Sequence, residues 1–227
     1  MSRRISTLRS SRTIAGSALT QLGDAKRLAR EFFNRDAVTV ARELLGKLVV
    51  RREGRRLLAG RVVEDEAYLG QDDPAAHAYA GRTPRNFVLF GPPGRAYVYF
   101  IYGNHYCLNV SCEGRGEGVL FRAIEPVLGL EAMSQARGID LPSSPPVARL
   151  RMIGSGPGRM SQALGITRDR DNNKELTSPG SDLWLADDGF RPQQILATPR
   201  IGITKAIERP LRFSVAQNPY VSGRKIG

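Results

Sequence analysis

The alternation of hydrophobic and polar residues along the chain predicts several strands and a few helices. In the first third, it predicts a helix that begins at Asp36, a typical N-cap, and ends at Gly46. Two strands follow, over residues 47–52 and 57–69, with a turn between them. Residues 71–90 have no hydrophobic period and are predicted to form a long loop. Loops of that length in a compact domain are usually either functional or disordered.

The rest of the chain continues this mixture of strands and helices. Gly103-Asn104 is a two-residue turn signal, so residues 95–102 and 105–112 are predicted to pair as a hairpin. Further short elements are predicted as strands over 119–124 and near Leu183, Ile201 and Phe213, and as helices over 128–137 and from Gly156 through Leu164. Neighbouring strands with few helices indicate an α+β fold.

The charge of the chain indicates a polyanionic partner. The 34 Lys and Arg residues outnumber the 22 Asp and Glu residues, which gives a net charge of +12. A positive field of this size attracts nucleic acid. Residues 1–23 are rich in Ser, Thr, Gly and Arg and are predicted to form a flexible basic arm, which precedes a domain over residues 24–227. No segment approaches the roughly 20 apolar residues of a membrane span. We therefore expect no membrane partner and a cytoplasmic location, beside the nucleoid if the source is prokaryotic.

Three acids interrupt the apolar strand 57–69, where the aromatic residues of the chain begin to cluster. Strand alternation places Glu64, Glu66 and Tyr68 on one face. A carboxylate among aromatic rings is a candidate general base. The same pattern also suits solvent-facing acids or ion-pair partners of Arg61 and Arg122.

Six of the seven tyrosines fall between residues 68 and 106. Tyr102 lies at the predicted hairpin tip, where a ring buries nothing in its own domain. His105 and Cys107 could share a strand face, but two such residues without a second pair are a weak metal signal. Neither a metal nor another cofactor is expected.

Nine short motifs occur in one order over roughly residues 30–224: EDEAYLG (64–70), AAH (75–77), RTPRN (82–86), YVYFIYG (97–103), NVS (109–111), FRAIEP (121–126), SGPGR (155–159), QAL (162–164) and RPLRF (209–213). Taken together, they resemble the alkyladenine (3-methyladenine, methylpurine) DNA glycosylase family. The resemblance does not cover the basic arm.

The resemblance implies a single mixed α+β domain with a curved antiparallel sheet flanked by helices. It also implies a base-excision repair enzyme that hydrolyses the N-glycosidic bond of alkylated or deaminated purines in duplex DNA. The catalytic pair would be Glu66, rather than Glu64, as the base that activates water, and Arg122 beside it. The remaining roles fall on Tyr68, His77 and Tyr99, which would hold the flipped base, Asn109, which would discriminate bases, and Tyr102, which would wedge into the DNA stack.

The chemistry of these residues agrees with the implied activity. Aromatic faces attract cations by about 0.5–2 kcal/mol, and some alkylated purines are cationic. No lysine lies in the motifs, so a monofunctional hydrolase is expected rather than a Schiff-base lyase, and we expect it to act as a monomer. Two alternatives remain open. One is a non-enzymatic nucleic-acid or DNA-damage binding protein, and the other is an enzyme for a small molecule on the same scaffold.

Overall fold

The computed structural model describes residues 22–101, 103 and 105–223, which form nine strands and six α-helices. In chain order these are β1 (Lys26–Arg27), α1 (Arg30–Phe33), α2 (Ala37–Leu44), β2 (Leu48–Glu53), β3 (Arg56–Leu69), β4 (Ala96–Ile101), β5 (His105–Ser111), β6 (Glu117–Leu128), α3 (Leu130–Ala136), α4 (Val147–Gly154), α5 (Pro157–Ala163), α6 (Arg168–Asp171), β7 (Leu183–Asp187), β8 (Ile195–Thr198) and β9 (Arg212–Val215).

All nine strands belong to one open sheet in which every pairing is antiparallel. The main strand order is β1-β7-β2-β3-β6-β5-β4. The long strand β3 pairs with β2 over its first half and with β9 over its second half, and β8 pairs with β9. The α+β class predicted from the sequence is confirmed, with β3 and β6 at the centre of the sheet.

The pairing of β3 with β6 is irregular where the acidic residues lie. Val62 pairs with Ile124 and Glu64 with Ala123, which leaves Val63 as an extra residue in β3. The next pair joins Asp65 to Phe121, so Arg122 is an extra residue in β6. Such bulges re-aim side chains and are frequent beside active sites.

The helix predicted from Asp36 is confirmed as α2. The Asp36 side chain accepts a hydrogen bond from the Thr39 amide at 2.9 Å, which satisfies a backbone donor of the first turn. The buried face of α2 contributes Ala37, Val40 and Leu44 to the main core cluster, beside sheet residues such as Phe121. Helix α5 packs against β5 and β6.

The sequence prediction of a strand near Ile201 is wrong. The strand in this region is β8, which ends at Thr198, and Ile201 follows in a loop with 42% of its surface exposed. Its amide donates to a carboxylate of β3 at 2.8 Å rather than to a neighbouring strand. Helices α1, α4 and α6 were not predicted.

The predicted pairing of β4 with β5 is confirmed, but the two-residue turn is wrong: Ile101 pairs with His105, so three residues separate the paired positions. Tyr102 and most of the predicted basic arm, residues 1–21, lie outside the described residues. None of the helices that the structure describes is long and apolar enough to span a membrane.

Candidate active site

A cavity of about 650 Å³ opens where strands β3–β6 meet two long loops and the start of α5. This volume lies within the roughly 300–1,000 Å³ typical of small-molecule sites. Five of the seven site residues that the resemblance implies line the cavity: Tyr68, His77, Tyr99, Asn109 and Arg122. The fold thus brings together side chains that are separated by up to 54 positions in the chain.

Glu66 lies directly behind the cavity wall. Its carboxylate accepts a hydrogen bond from the Tyr68 hydroxyl at 2.9 Å and from the Ile201 amide at 2.8 Å, and it lies 3.1 Å from Nη1 of Arg122. Burial raises the pKa of Glu66 above its ordinary 4.5, while Arg122, the Ile201 amide and Tyr68 oppose this rise. A carboxylate held in this way can act as a general base.

Glu64 occupies a different environment on the same face of β3. Its Oε1 accepts hydrogen bonds from Nε of Arg122 at 2.9 Å, from Nε of Arg212 at 2.7 Å and from the Ser222 hydroxyl at 2.9 Å. The Ser222 amide donates to Oε2. Glu64 is therefore surrounded by donors and fully buried, and its contacts suit an anchor for Arg122.

Arg122 bridges the two glutamates, and the bulge in β6 allows it to do so. Burial alone would lower the pKa of Arg122, but the negative charges of Glu66 and Glu64 raise it above its ordinary value. Neither glutamate is solvent-exposed, and Arg61 pairs with Asp188 instead. Of the interpretations open at the sequence level, ion pairing with Arg122 is therefore confirmed for both glutamates. Solvent exposure and pairing with Arg61 are wrong.

An aromatic wall faces the cavity from β4 and the loop after β3. The His77 ring contacts Tyr99 edge-on, with centroids 4.6 Å apart, and its Nδ1 lies 3.0 Å from the Tyr97 hydroxyl. Partial desolvation and the charge of Arg85 lower the pKa of His77 below 6.5, which keeps the imidazole neutral at physiological pH. Asn109 donates from Nδ2 to the Tyr97 carbonyl at 3.1 Å.

The start of α5 forms another part of the wall. A side chain at Gly158 would place its Cβ 2.7 Å from the His105 ring, so the glycine provides room for that ring beside the cavity. Close packing against His105 thus requires a glycine in the SGPGR motif. One lysine, Lys205, also lines the cavity, although it lies outside the motifs found in the sequence.

The sequence singled out some of the groups around the site but missed others. Arg212 lies in the RPLRF motif, but no function was predicted for it. No local sequence pattern marks Arg200 or Ser222, because their partners are 127 and 158 positions away.

Asp65, between the glutamates, is fully buried, and neither of its carboxylate oxygens has a hydrogen-bond partner among the described residues. Burial raises its pKa well above 3.8, and the charges of Glu64 and Glu66 add to this rise. The described residues contain no group of three His, Cys, Asp or Glu side chains placed to hold a metal.

Comparison with known proteins agrees with the resemblance found in the sequence. The family model described as "Methylpurine-DNA glycosylase" matches residues 31–219. A protein of Koribacter versatilis named "Putative 3-methyladenine DNA glycosylase" is 59% identical over 211 residues, covering 92% of this chain and 98% of its own. A Methanoculleus marisnigri protein of the same name is 50% identical over 205 residues, covering 87% of this chain and 99% of its own.

More distant relatives cover as much of the domain. A Chlorobaculum parvum protein that carries the same name is 42% identical over 206 residues, covering 89% of this chain and 93% of its own. The family match includes all the described residues that form the cavity. This family match favours a DNA glycosylase over the alternative of a non-enzymatic nucleic-acid or DNA-damage binding protein. By its sequence and by the motifs around this cavity, the chain belongs to the methylpurine-DNA glycosylase family.

Proposed function

We propose that this glycosylase flips alkylated or deaminated purines out of duplex DNA into the cavity and hydrolyses their N-glycosidic bond. The observation that carries the proposal is the placement of Glu66. Its buried carboxylate contacts Tyr68 and Arg122, and both of these side chains line the aromatic cavity. A base held against the cavity side of Tyr68 would bring its sugar close to this carboxylate.

In the proposed reaction, a water oxygen forms a bond to C1′ of the sugar as the bond from C1′ to the purine nitrogen breaks. The water transfers a proton to Glu66, and the purine leaves with the electron pair of the broken bond. Positive charge develops on the sugar in the transition state, as in other glycoside hydrolyses, and a nearby carboxylate stabilises it. Arg122 keeps Glu66 ionised and oriented before the reaction.

The aromatic side chains that line the cavity would select damaged bases over normal ones. Tyr68, Tyr99 and His77 offer ring faces and edges to a purine, and electron-rich faces attract a cationic base by about 0.5–2 kcal/mol. A neutral deaminated purine would depend on hydrogen bonds instead, for which His77 and Asn109 are the proposed partners.

DNA would reach the site as a duplex and bind to a single copy of the protein. The net charge of +12 would supply the attraction to phosphates, and the affinity would therefore fall steeply with salt. Tyr102, between the ends of β4 and β5, is the proposed wedge that fills the space left by the flipped nucleotide.

The test is base release from a panel of duplexes that each contain one modified purine: 7-methylguanine, 3-methyladenine, hypoxanthine or 1,N6-ethenoadenine. We expect release of the free base and an abasic site from at least one alkylated duplex, and no release from the undamaged duplex. Binding to these duplexes without release of any base would contradict the proposal and favour a damage-binding protein.

The wedge is tested separately with the variant Tyr102→Ala. We expect its single-turnover rate on a duplex to fall, while its rate on a single strand with the same lesion stays near that of the wild type, because a single strand has no pair to break. An unchanged rate on the duplex would contradict the wedge role.

A further inference from the structure

Two loops form parts of the cavity wall, and a buried ion pair joins them. The loop after β3 contributes residues 74–77, and the loop between β8 and β9 contributes residues 201–205. Arg200 and Asp73 lie immediately before these two segments, and both side chains are fully buried. The Arg200 guanidinium forms a two-pronged ion pair with Asp73, in which Nη2 donates to Oδ1 at 2.8 Å and Nη1 donates to Oδ2.

Asp73 organises its own loop through backbone contacts. Its carboxylate accepts hydrogen bonds from the Leu69 amide at 3.3 Å and the Ala75 amide at 3.1 Å, two residues before His77. Burial would raise the pKa of Asp73, but the hydrogen bonds from Arg200 lower it below 3.8. The pair is therefore ionised, because arginine does not lose its proton in proteins.

Arg200 also contacts the groups assigned to base excision. Its guanidinium carbon lies 4.6 Å from the Tyr68 ring centroid, and Nη1 donates to the Ala67 carbonyl at 3.1 Å. The next residue, Ile201, donates its amide to Oε1 of Glu66 at 2.8 Å. The position of Arg200 thus fixes one face of Tyr68 and, through the adjoining peptide, one hydrogen bond to Glu66.

We infer that Arg200 is a positioning residue: with Asp73 it ties together both cavity loops and holds Tyr68 and Glu66 in the arrangement that base excision requires. This inference rests on the proposed function. Arginine suits the role because its planar fork binds a carboxylate through two parallel hydrogen bonds and lies flat on an aromatic ring. Lysine keeps the charge but can supply neither the fork nor the flat contact.

The test compares Arg200→Lys with a matched control, Arg51→Lys. Arg51 is equally buried and pairs with Asp171 at 2.6 Å, but neither residue lines the cavity. We expect R200K to lower the single-turnover excision rate by about 10- to 100-fold, as small displacements of catalytic groups do. We expect R51K to stay within about twofold of the wild type when both are assayed below their unfolding transitions. Should R200K fail to fold, Asp73→Asn tests the same ion pair.

Two further readouts separate positioning from general stability. Loss of the Ile201 hydrogen bond should raise the pKa of Glu66, so the acidic limb of the rate profile should move to higher pH in R200K and not in R51K. Hydrogen exchange of residues 70–77 and 200–205 should accelerate together in R200K alone.

The outcomes distinguish failure of this inference from failure of the proposed function. The role of Arg200 would be overturned if the wild type is active and R200K matches R51K in three measurements: the excision rate, the pH of the acidic limb and the hydrogen exchange of the two loops. A wild type that releases no base from any duplex would overturn the proposed function. In that case, faster hydrogen exchange of both loops in R200K would still support the inference that the ion pair holds the two loops together. Unchanged exchange would refute that inference.

Discussion

Glu64 provides a quantitative test of how the site is held together. It accepts hydrogen bonds from Arg122, Arg212 and both polar groups of Ser222, and no part of it is exposed. In Glu64→Gln the side chain keeps its shape but loses its charge. Two buried guanidinium groups then lose a counter-ion, and an amide nitrogen replaces one acceptor. Removal of one partner from a buried ion pair typically costs about 3–5 kcal/mol, out of the roughly 5–15 kcal/mol that stabilise a domain.

The assay is urea unfolding followed by circular dichroism, with linear extrapolation to water. The matched control is Glu43→Gln, which removes the same charge from an exposed two-pronged pair with Arg35. We expect the control to lose no more than about 1 kcal/mol. A loss of less than about 1 kcal/mol in E64Q would refute the reasoning that Glu64 anchors the two arginines.

Two further predictions concern pH. Asp65→Asn should become increasingly more stable than the wild type as pH rises above about 4, the usual pKa of an unfolded Asp. The pKa of Asp65 is raised by folding, so the wild type loses stability as pH rises from the unfolded to the folded pKa, whereas asparagine does not titrate. Unfolding free energies at several pH values check this, and a pH-independent difference would contradict it. Tyr68→Phe removes a donor that lowers the pKa of Glu66, so the acidic limb of the excision rate should move to higher pH. An unmoved limb would show that this hydrogen bond does not tune Glu66.

Local periodicity was sufficient to predict the parts of the site that lie on single strands. Alternation along β3 correctly placed Glu64, Glu66 and Tyr68 on one face, because side-chain direction in a strand depends only on its period of two. The turn signal at Gly103-Asn104 predicted that β4 pairs with β5, but not the register, because three residues rather than two separate Ile101 from His105.

The remainder of the site depends on contacts that no local pattern encodes. The bulge that re-aims Arg122 arises from how β3 and β6 pair, and each strand separately reads as regular. The contact of Ser222 with Glu64 spans 158 positions, and that of Arg200 with Asp73 spans 127. The strand prediction at Ile201 failed for the same reason. Its apolar side chain favoured a strand, but its amide donates a hydrogen bond to the carboxylate of Glu66 on β3.

The central claim is that Glu66 performs the chemistry while other groups bind the DNA. Glu66→Gln tests it most directly, with duplex affinity and single-turnover base release measured on the same lesion. We expect affinity within about threefold of the wild type and a rate lowered by about 10²- to 10⁴-fold, the usual contribution of a general base. A Glu66→Gln enzyme that releases the base within about tenfold of the wild-type rate would contradict the account.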